Sequence, residues 1–358
     1  MRVALVKQVL DVFGPWSSVR WNTTDPRSLF NLWPGKVSLW EMTCLLQADW
    51  YVIPEVIKSD YHRDLLVKNK NFRDLVWRHA MNIIPIQEIP FEQYDVVISL
   101  DPILYQAPSG VALKAYFINE NWDRLYWRSL KRPLGNYDLF LAHMLDSHKD
   151  INTLPQAISF PYIRAPEVLR SLFPAEKEKA AWVDWRTLCS LGMVECWGPQ
   201  AEKAALRMQE ILSVPIRFYG EFNRQAYGVH DPPSWGNGYQ YLEKLARCQF
   251  YISLGWKGGP GQALVDAASL GCICLGERDK PYHRLICHPS CLCSGLFEMP
   301  KRFKAIVMRT DLQQEILSWQ EQALREHFME KPLAFLRKAI EYKKRGCLRR
   351  FDSLNSDS

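Results

Sequence analysis

The stretch from Leu242 to Gly276, LEKLARCQFYISLGWKGGPGQALVDAASLGCICLG, predicts the architecture of this 358-residue chain. It alternates between amphipathic segments and short apolar runs, with glycines between them. The predicted elements are a helix over 239–248, a strand over 250–254, a glycine-rich loop over 255–261, a helix over 262–270 and a strand over 272–275. Apolar strands that alternate with helices are typical of a parallel sheet covered on both faces.

The loop in this stretch has the composition of a phosphate-binding turn. Gly258, Gly259 and Gly261 lack the Cβ atoms that would block a close approach, and the following helix exposes N–H groups and the positive end of its dipole. Lys257 adds a positive charge, and Asp266, one turn into the helix, can accept hydrogen bonds from ribose hydroxyls. The local pattern equally fits a tight structural turn with a helix cap.

The segment 258–271, GGPGQALVDAASLG, resembles the donor motif of glycosyltransferases with the GT-B fold. In that motif a glycine-rich loop precedes an acidic residue followed by Ala, and a Gly stands before the next strand. The resemblance implies a nucleotide-sugar site in which Asp266 holds the ribose, while Lys257, the three loop glycines and Gln262 surround the diphosphate. Segments 219–220 and 241–248 resemble the same family.

Two positions depart from the family pattern. Many retaining members carry Glu where this chain has Gly258, eight residues before the second acid. The missing Glu favours inversion at the transferred sugar. The second acid is Asp266 rather than the usual Glu, and its shorter side chain requires the helix to lie closer to the ribose.

Two arginines follow predicted strands of the same half. Arg186 comes after the strand over 180–185, and Arg224 comes after the strand over 216–220. The family resemblance implies that they stabilise the diphosphate as leaving group in place of a metal ion. For each arginine, an ordinary surface position is an equally good interpretation.

The rest of the chain repeats the strand–helix pattern on both sides of a proline-punctuated segment, 150–179, which is predicted to be the linker between two domains. Further strands are predicted over 2–6, 95–100, 114–118 and 137–142, and helices over 36–47, 61–79, 200–212 and 311–342, the last interrupted near Pro332. We therefore expect an α/β protein with two Rossmann-like domains of the GT-B type that face each other across a cleft. The expected divisions are an acceptor-side domain over 1–160, a nucleotide-sugar domain over 161–330, and a C-terminal helix with a disordered tail over 331–358 that packs back toward the first domain.

Inverting transfer needs a general base for the acceptor hydroxyl, and strand ends that face the cleft are where such a residue belongs. Asp11 follows the first strand, Asp101 follows Leu100, and His143 follows Ala142. Each is also a plausible cap or turn residue. Asp11 is the first choice among the three.

The acceptor site is predicted near Trp122 and Tyr126, in a segment dense in aromatic and polar residues. Aromatic rings suit the C–H faces of sugars. The two residues are four positions apart, so the buried stripe of a helix explains them equally well.

Composition narrows the class of protein. A formal charge of +6 is too diffuse to indicate nucleic-acid binding, although it fits phosphorylated ligands. The basic residues of segment 337–350 are better explained as a solvated helix face than as a lipid contact. Without an N-terminal leader or an apolar stretch of about 20 residues, a cytoplasmic protein is expected, with peripheral membrane contact as an alternative.

Ten cysteines in such a protein are expected to be reduced. Five of them, with two histidines, cluster between Cys272 and Cys293. The cluster lacks paired C-x-x-C spacing, so buried thiols are a better interpretation than a metal site. No catalytic metal or cofactor is expected.

The predicted activity is sugar transfer from a nucleoside-diphosphate sugar to a hydroxyl of a glycan or lipid-linked acceptor. An epimerase or hydrolase of the same fold is one alternative, and a non-catalytic carbohydrate- or nucleotide-binding protein is another.

Overall fold

Two separate parallel β-sheets form the framework of the protein in the computed structural model. The structure describes residues 1–8, 41–42, 45–53, 81–83, 88–99, 112–118, 137–142, 157–160, 163–184, 207–208, 210, 217–219, 238–253 and 262–347.

The first sheet has seven strands in the order β3-β2-β1-β4-β5-β6-β7, and its neighbouring strands are all parallel. The strands are β1 Val3–Gln8, β2 Asp49–Ile53, β3 Met81–Ile83, β4 Val96–Ser99, β5 Leu113–Ile118, β6 Leu139–Ala142 and β7 Ala157–Ser159. Consecutive residues of β1 and β4 are buried, because both faces of these strands are covered. Their continuous apolar runs follow from that burial.

The second sheet has five strands, also parallel, in the order β12-β11-β10-β8-β9. The strands are β8 Glu178–Asp184, β9 Arg217–Tyr219, β10 Cys248–Ser253, β11 Ile273–Glu277 and β12 Leu292–Cys293. These two sheets confirm the α/β class predicted from the alternation of strands and helices.

Seven α-helices have both of their ends among the described residues, and they connect and cover these strands. They are α1 Pro166–Leu172, α2 Gly238–Arg247, α3 Gln262–Ser269, α4 Pro281–Ile286, α5 Met299–Val307, α6 Thr310–Arg325 and α7 Lys331–Lys344. A π-helical turn, Glu326–Glu330, joins α6 to α7.

Two sequence predictions can be compared with the helices and strands of this region. The long C-terminal helix is interrupted near Pro332 as expected: the irregular turn is Glu326–Glu330, and Pro332 occupies the first turn of α7. A proline is tolerated in a first turn, where its missing N–H has the least effect on the ladder. The segment predicted as a linker contains the strand β7 and the helix α1.

The chain divides into two units, one of Met1–Ile163 with Glu330–Ser358 and one of Arg164–Met329. The helix α7 belongs to the first unit and buries Leu336, Ala339 and Ile340 in its core.

The basic C-terminal segment is partly paired within this unit. Lys343 and Lys344 bond the carboxylates of Asp138 and Asp95, each at 2.6 Å. Within the described ranges, no helix is both long enough and apolar enough to span a bilayer.

Candidate functional site

The second sheet has a topological switch point between β8 and β10. From β8 the chain moves outward to β9 on one side, and from β10 it moves outward to β11 and β12 on the other. The last residues of the two central strands, Asp184 and Ser253, are partners in the register. In open parallel sheets, ligands bind in the crevice outside the carboxyl ends of the strands at such a point.

The predicted donor segments continue from these two strand ends. Arg186 follows Asp184 by two residues, and the glycine-rich segment 255–261 begins two residues after Ser253. These predicted donor residues lie outside the described residues: Arg186, Arg224, Lys257, Gly258, Gly259 and Gly261.

The helix α3 returns from the carboxyl edge of the sheet, and Gln262 is its first residue. Leu264, Val265, Ala267 and Ala268 are buried, whereas Asp266 keeps 14% of its side-chain surface exposed. The two alanines allow close packing of α3 among its neighbours, which include α1 and α6. Asp266 thus lies one turn into the helix with a carboxylate that solvent reaches.

The carboxylate of Asp266 forms an ion pair with Arg164. Nη2 of Arg164 lies 2.5 Å from Oδ1 of Asp266, and the arginine side chain is only 1% exposed. Arg164 is not among the residues that the family motif implies. A sequence signal exists, however, because this arginine stands alone in the apolar run Ile163–Pro166, which indicates burial.

Two further basic residues, Arg170 and Lys177, line a cavity of about 530 Å³ near the amino ends of the strands of the same sheet. Nε of Arg170 donates to the carbonyl of Ser269 at the end of α3, and Nζ of Lys177 donates to the carbonyl of Cys248 just after α2. Cations at helix C-termini satisfy the last carbonyls and oppose the helix dipole. The charge at this edge therefore has a structural explanation.

His283, in α4, is a buried imidazole at the carboxyl end of β11. Its Nδ1 accepts a hydrogen bond from the backbone N–H of Glu277 at 2.8 Å, and burial lowers its pKa to about 4. Gly276 permits this approach, because a Cβ there would lie 2.5 Å from Nδ1. The ring is therefore neutral at pH 7, and its proton is on Nε2.

The clustered cysteines of the second unit are buried and reduced. Burial raises the pKa values of the Cys274 and Cys287 thiols well above their usual range, so they carry no charge at pH 7. The thiol of Cys272 donates to the carbonyls of Leu245 and Cys248. In the part of the chain that the structure describes, no three His, Cys, Asp or Glu side chains form a group that could hold a metal ion.

The first sheet has its own switch point, between β1 and β4. The predicted bases Asp11 and Asp101 follow the last residues of these strands, Gln8 and Ser99, by three and two positions. His143 follows β6. All three predicted bases, and the predicted acceptor residues Trp122 and Tyr126, lie outside the described residues.

No protein-family model and no curated protein matches this sequence. Solved structures do match. An α-glucosyltransferase in complex with UDP and a 13-mer DNA aligns with a TM-score of 0.54 at 10% identity, over 95% of this chain and 100% of that chain.

Two other solved structures are more distant in shape. HepE of Anabaena, in complex with UDP and glucose, aligns with a TM-score of 0.48 at 9% identity, over 99% of this chain and 100% of that one. A TarM mutant of S. aureus, in a complex that includes UDP, aligns with a TM-score of 0.43 at 12% identity. That alignment covers 71% of this chain and 55% of TarM, so the chain spans little more than half of TarM.

The likeness to the α-glucosyltransferase, together with the two parallel sheets, shows the fold. It is the two-domain α/β fold of the GT-B glycosyltransferases.

Proposed function

We propose that this chain is a glycosyltransferase that uses a nucleoside-diphosphate sugar as donor and a hydroxyl of a glycan or lipid-linked acceptor. The observation that carries the proposal is the place of Asp266. This residue lies on the helix that follows the switch-point strand β10, one turn after the glycine-rich segment 255–261, and its side chain stays partly accessible to solvent. Fold alone does not define chemistry, so the proposal depends on the role in ribose binding that the family resemblance implies for this acid.

The donor's diphosphate would lie against the loop before α3. The N–H groups of Gly258, Gly259, Gly261 and Gln262, together with the charge of Lys257, would bind it there. Arg186 and Arg224 would neutralise the negative charge that develops on the diphosphate as it leaves. With these three cations in place of a metal ion, the transfer that we propose is metal-independent.

The transfer itself would be a displacement at the anomeric carbon. The acceptor hydroxyl gives its proton to the base, its oxygen forms the new bond to the anomeric carbon, and the bond to the diphosphate oxygen breaks. Asp11 is the base that we favour over Asp101 and His143, because it follows the central strand β1 at the switch point of the first sheet. Trp122 and Tyr126 would stack on the acceptor sugar.

The proposal includes a cytoplasmic location, with the basic C-terminal segment as a second contact for an anionic membrane that presents a lipid-linked acceptor. Lys343 and Lys344 already bond carboxylates of the first unit, so the remaining basic residues of 337–350 would provide this attraction.

Nucleotide binding is tested by thermal denaturation with UDP, GDP, dTDP, ADP and CMP. A nucleotide at 100 times its Kd stabilises the protein by about 2.7 kcal/mol, which raises the melting temperature measurably. We expect one diphosphate to stabilise the wild type and to stabilise Asp266→Asn much less. Glu321→Gln is the matched control, since it makes the same change at an ion pair outside the proposed site, and its response should equal that of the wild type. If no nucleotide shifts the melting temperature, the glycine-rich loop is structural and the proposal is wrong.

Turnover separates the remaining functions. With the nucleotide-sugar of the preferred base and a mixture of glycan acceptors, a transferase releases nucleotide only when an acceptor is present. Release without an acceptor would indicate a hydrolase or epimerase. Nucleotide binding without any release would indicate a binding protein.

A further inference from the structure

Arg164 combines two properties that a purely structural arginine seldom has. Among the described residues it is one of the largest fully buried side chains, at 1% exposure, and its guanidinium is directed at the carboxylate of a side chain that solvent partly reaches. Burying a guanidinium costs desolvation energy, and buried ion pairs are often no more stabilising than apolar side chains of similar size. Its presence is better explained by what it does to Asp266.

The backbone around Arg164 is fixed on both sides. Ile163 and Ala165 are buried, and the N–H of Arg164 donates to the carbonyl of Phe328 at 2.7 Å. Phe328 lies in the π-helical turn between α6 and α7, and its ring packs against Tyr282 with the centroids 5.6 Å apart. The guanidinium therefore extends from an anchored main chain, and its direction is set by the core.

The consequence for Asp266 is a carboxylate in a defined orientation. An aspartate side chain has only two rotatable bonds, and a hydrogen bond to a rigid guanidinium removes the remaining freedom of its carboxyl group. A side chain that is already oriented loses little conformational entropy when a ligand hydroxyl donates to it. The pair thus prepares Asp266 for a diol that arrives from the solvent side.

We propose that Arg164 is a positioning residue for ribose recognition, which orients the Asp266 carboxylate toward the 2′- and 3′-hydroxyls of the donor nucleotide. The inference rests on the proposed function, because it takes Asp266 as the ribose-binding acid. It adds that selectivity for a ribonucleotide depends on a buried arginine that itself does not touch the ligand.

The test compares two ligands on one set of variants. The ligands are the ribonucleoside diphosphate of the base that stabilises the wild type best and its 2′,3′-dideoxy form, and binding is measured by isothermal titration calorimetry. Hydrogen bonds to a charged group are strong enough that we expect the wild type to bind the ribonucleotide on the order of tenfold or more tightly than the dideoxy form. In Arg164→Met the affinity for the ribonucleotide should fall toward that of the dideoxy form, and the affinity for the dideoxy form should stay within about twofold.

Two further variants keep the test decisive. Arg164→Lys retains a buried charge beside Asp266 and so retains the fold, but it lacks the planar fork, and the ribose preference should fall between those of the wild type and Arg164→Met. Arg170→Met removes the other arginine that bonds α3 and should leave the preference unchanged. Circular dichroism establishes that each variant is folded at the temperature of the titration.

The outcomes distinguish the inference from the function on which it rests. Equal weakening of both ligands in the Arg164 variants would make Arg164 a structural residue and overturn the inference, and so would an unchanged ribose preference. A wild type that binds the nucleotide without any ribose preference would overturn it as well, while nucleotide binding stands. A wild type that binds no nucleotide would instead refute the proposed function.

Discussion

The helix α1 and the residues just before it pack against α3 and carry two arginines, one buried and one exposed to solvent. Arg164 and Arg170 each place Nη2 2.5 Å from a carboxylate oxygen, of Asp266 in the first case and of Glu321 in the second. The first pair is 1% and 14% exposed, whereas the second is 39% and 34% exposed. The two pairs therefore differ in interaction energy although their distances are equal, because the solvent around a pair determines how strongly its charges interact. The buried pair must be complete, and the exposed pair is optional.

Truncation of the two acids gives the largest expected difference. Asp266→Ala leaves the guanidinium of Arg164 in the interior without this carboxylate, and losing one partner of a buried pair costs about 3–5 kcal/mol of unfolding free energy. Glu321→Ala removes a half-exposed partner, for which we expect a loss below about 1 kcal/mol. Urea denaturation without nucleotide, followed by circular dichroism, measures both.

A double variant checks the cause. Arg164→Met combined with Asp266→Leu removes both buried charges and should recover most of the stability that Asp266→Ala loses. Equal losses for the two single acid variants would contradict the importance of burial. A double variant as unstable as Asp266→Ala would indicate that packing, and not the unpaired charge, causes the loss.

His283 shows the effect of burial without an ion pair. It is buried like Arg164, but among the contacts of the described residues it has no carboxylate at bonding distance. Its imidazole responds by losing its charge: burial first, and then the nearby charge of Lys280, lower its pKa to about 4 against the opposing charge of Asp279. An unfolded histidine binds its proton below about pH 6.5. Between that pH and about 4 the unfolded state binds more protons, so the free energy of unfolding falls as the pH falls, by at most about 3 kcal/mol.

The control for this prediction is His283→Asn. Asparagine can still accept the hydrogen bond from the N–H of Glu277 but does not titrate. We expect the difference in unfolding free energy between the wild type and the variant to change across this pH range, with contributions from all other groups cancelling. Parallel profiles would mean that His283 is not kept neutral by the fold.

Strands can be predicted from the sequence where burial on both faces requires consecutive apolar residues. The strands β1, β4 and β5 were expected because their apolar residues are consecutive, as strands covered on both faces require. The strand β2 also has such a run, Trp50-Tyr51-Val52-Ile53, but it was not among the predicted strands, and β12 has only two residues, too few for a recognisable pattern. The interruption near Pro332 was expected from the proline, but no sequence pattern identifies its π-helical form or its place at Glu326–Glu330.

In the candidate site, a residue within a contiguous motif can be predicted from the sequence, but a contact between distant residues cannot. Asp266 is recognisable from the sequence because its neighbours form a contiguous motif. Arg164 lies 102 positions before Asp266, so no local pattern joins the two. Only the packing of α1 and α3 against each other brings this segment to the carboxylate. A lone arginine between Ile163 and Ala165 indicates a buried charge but does not identify its partner.

The smallest expected effect is that of salt, which should weaken the exposed ion pair Arg170–Glu321 more than the pair Arg164–Asp266. At about 1 M salt the Debye length is about 3 Å, and charges in contact with solvent are screened whereas buried charges are screened much less. A double-mutant cycle with Arg170→Gln and Glu321→Gln should give a coupling energy below about 1 kcal/mol at low salt that falls toward zero at about 1 M NaCl. The cycle is needed because Arg170 also bonds the carbonyl of Ser269, and this bond is lost equally on both sides of the cycle. The coupling between Arg164 and Asp266 should fall much less over the same range, and a parallel decline would mean that burial of the Arg164 guanidinium does not protect this pair from screening.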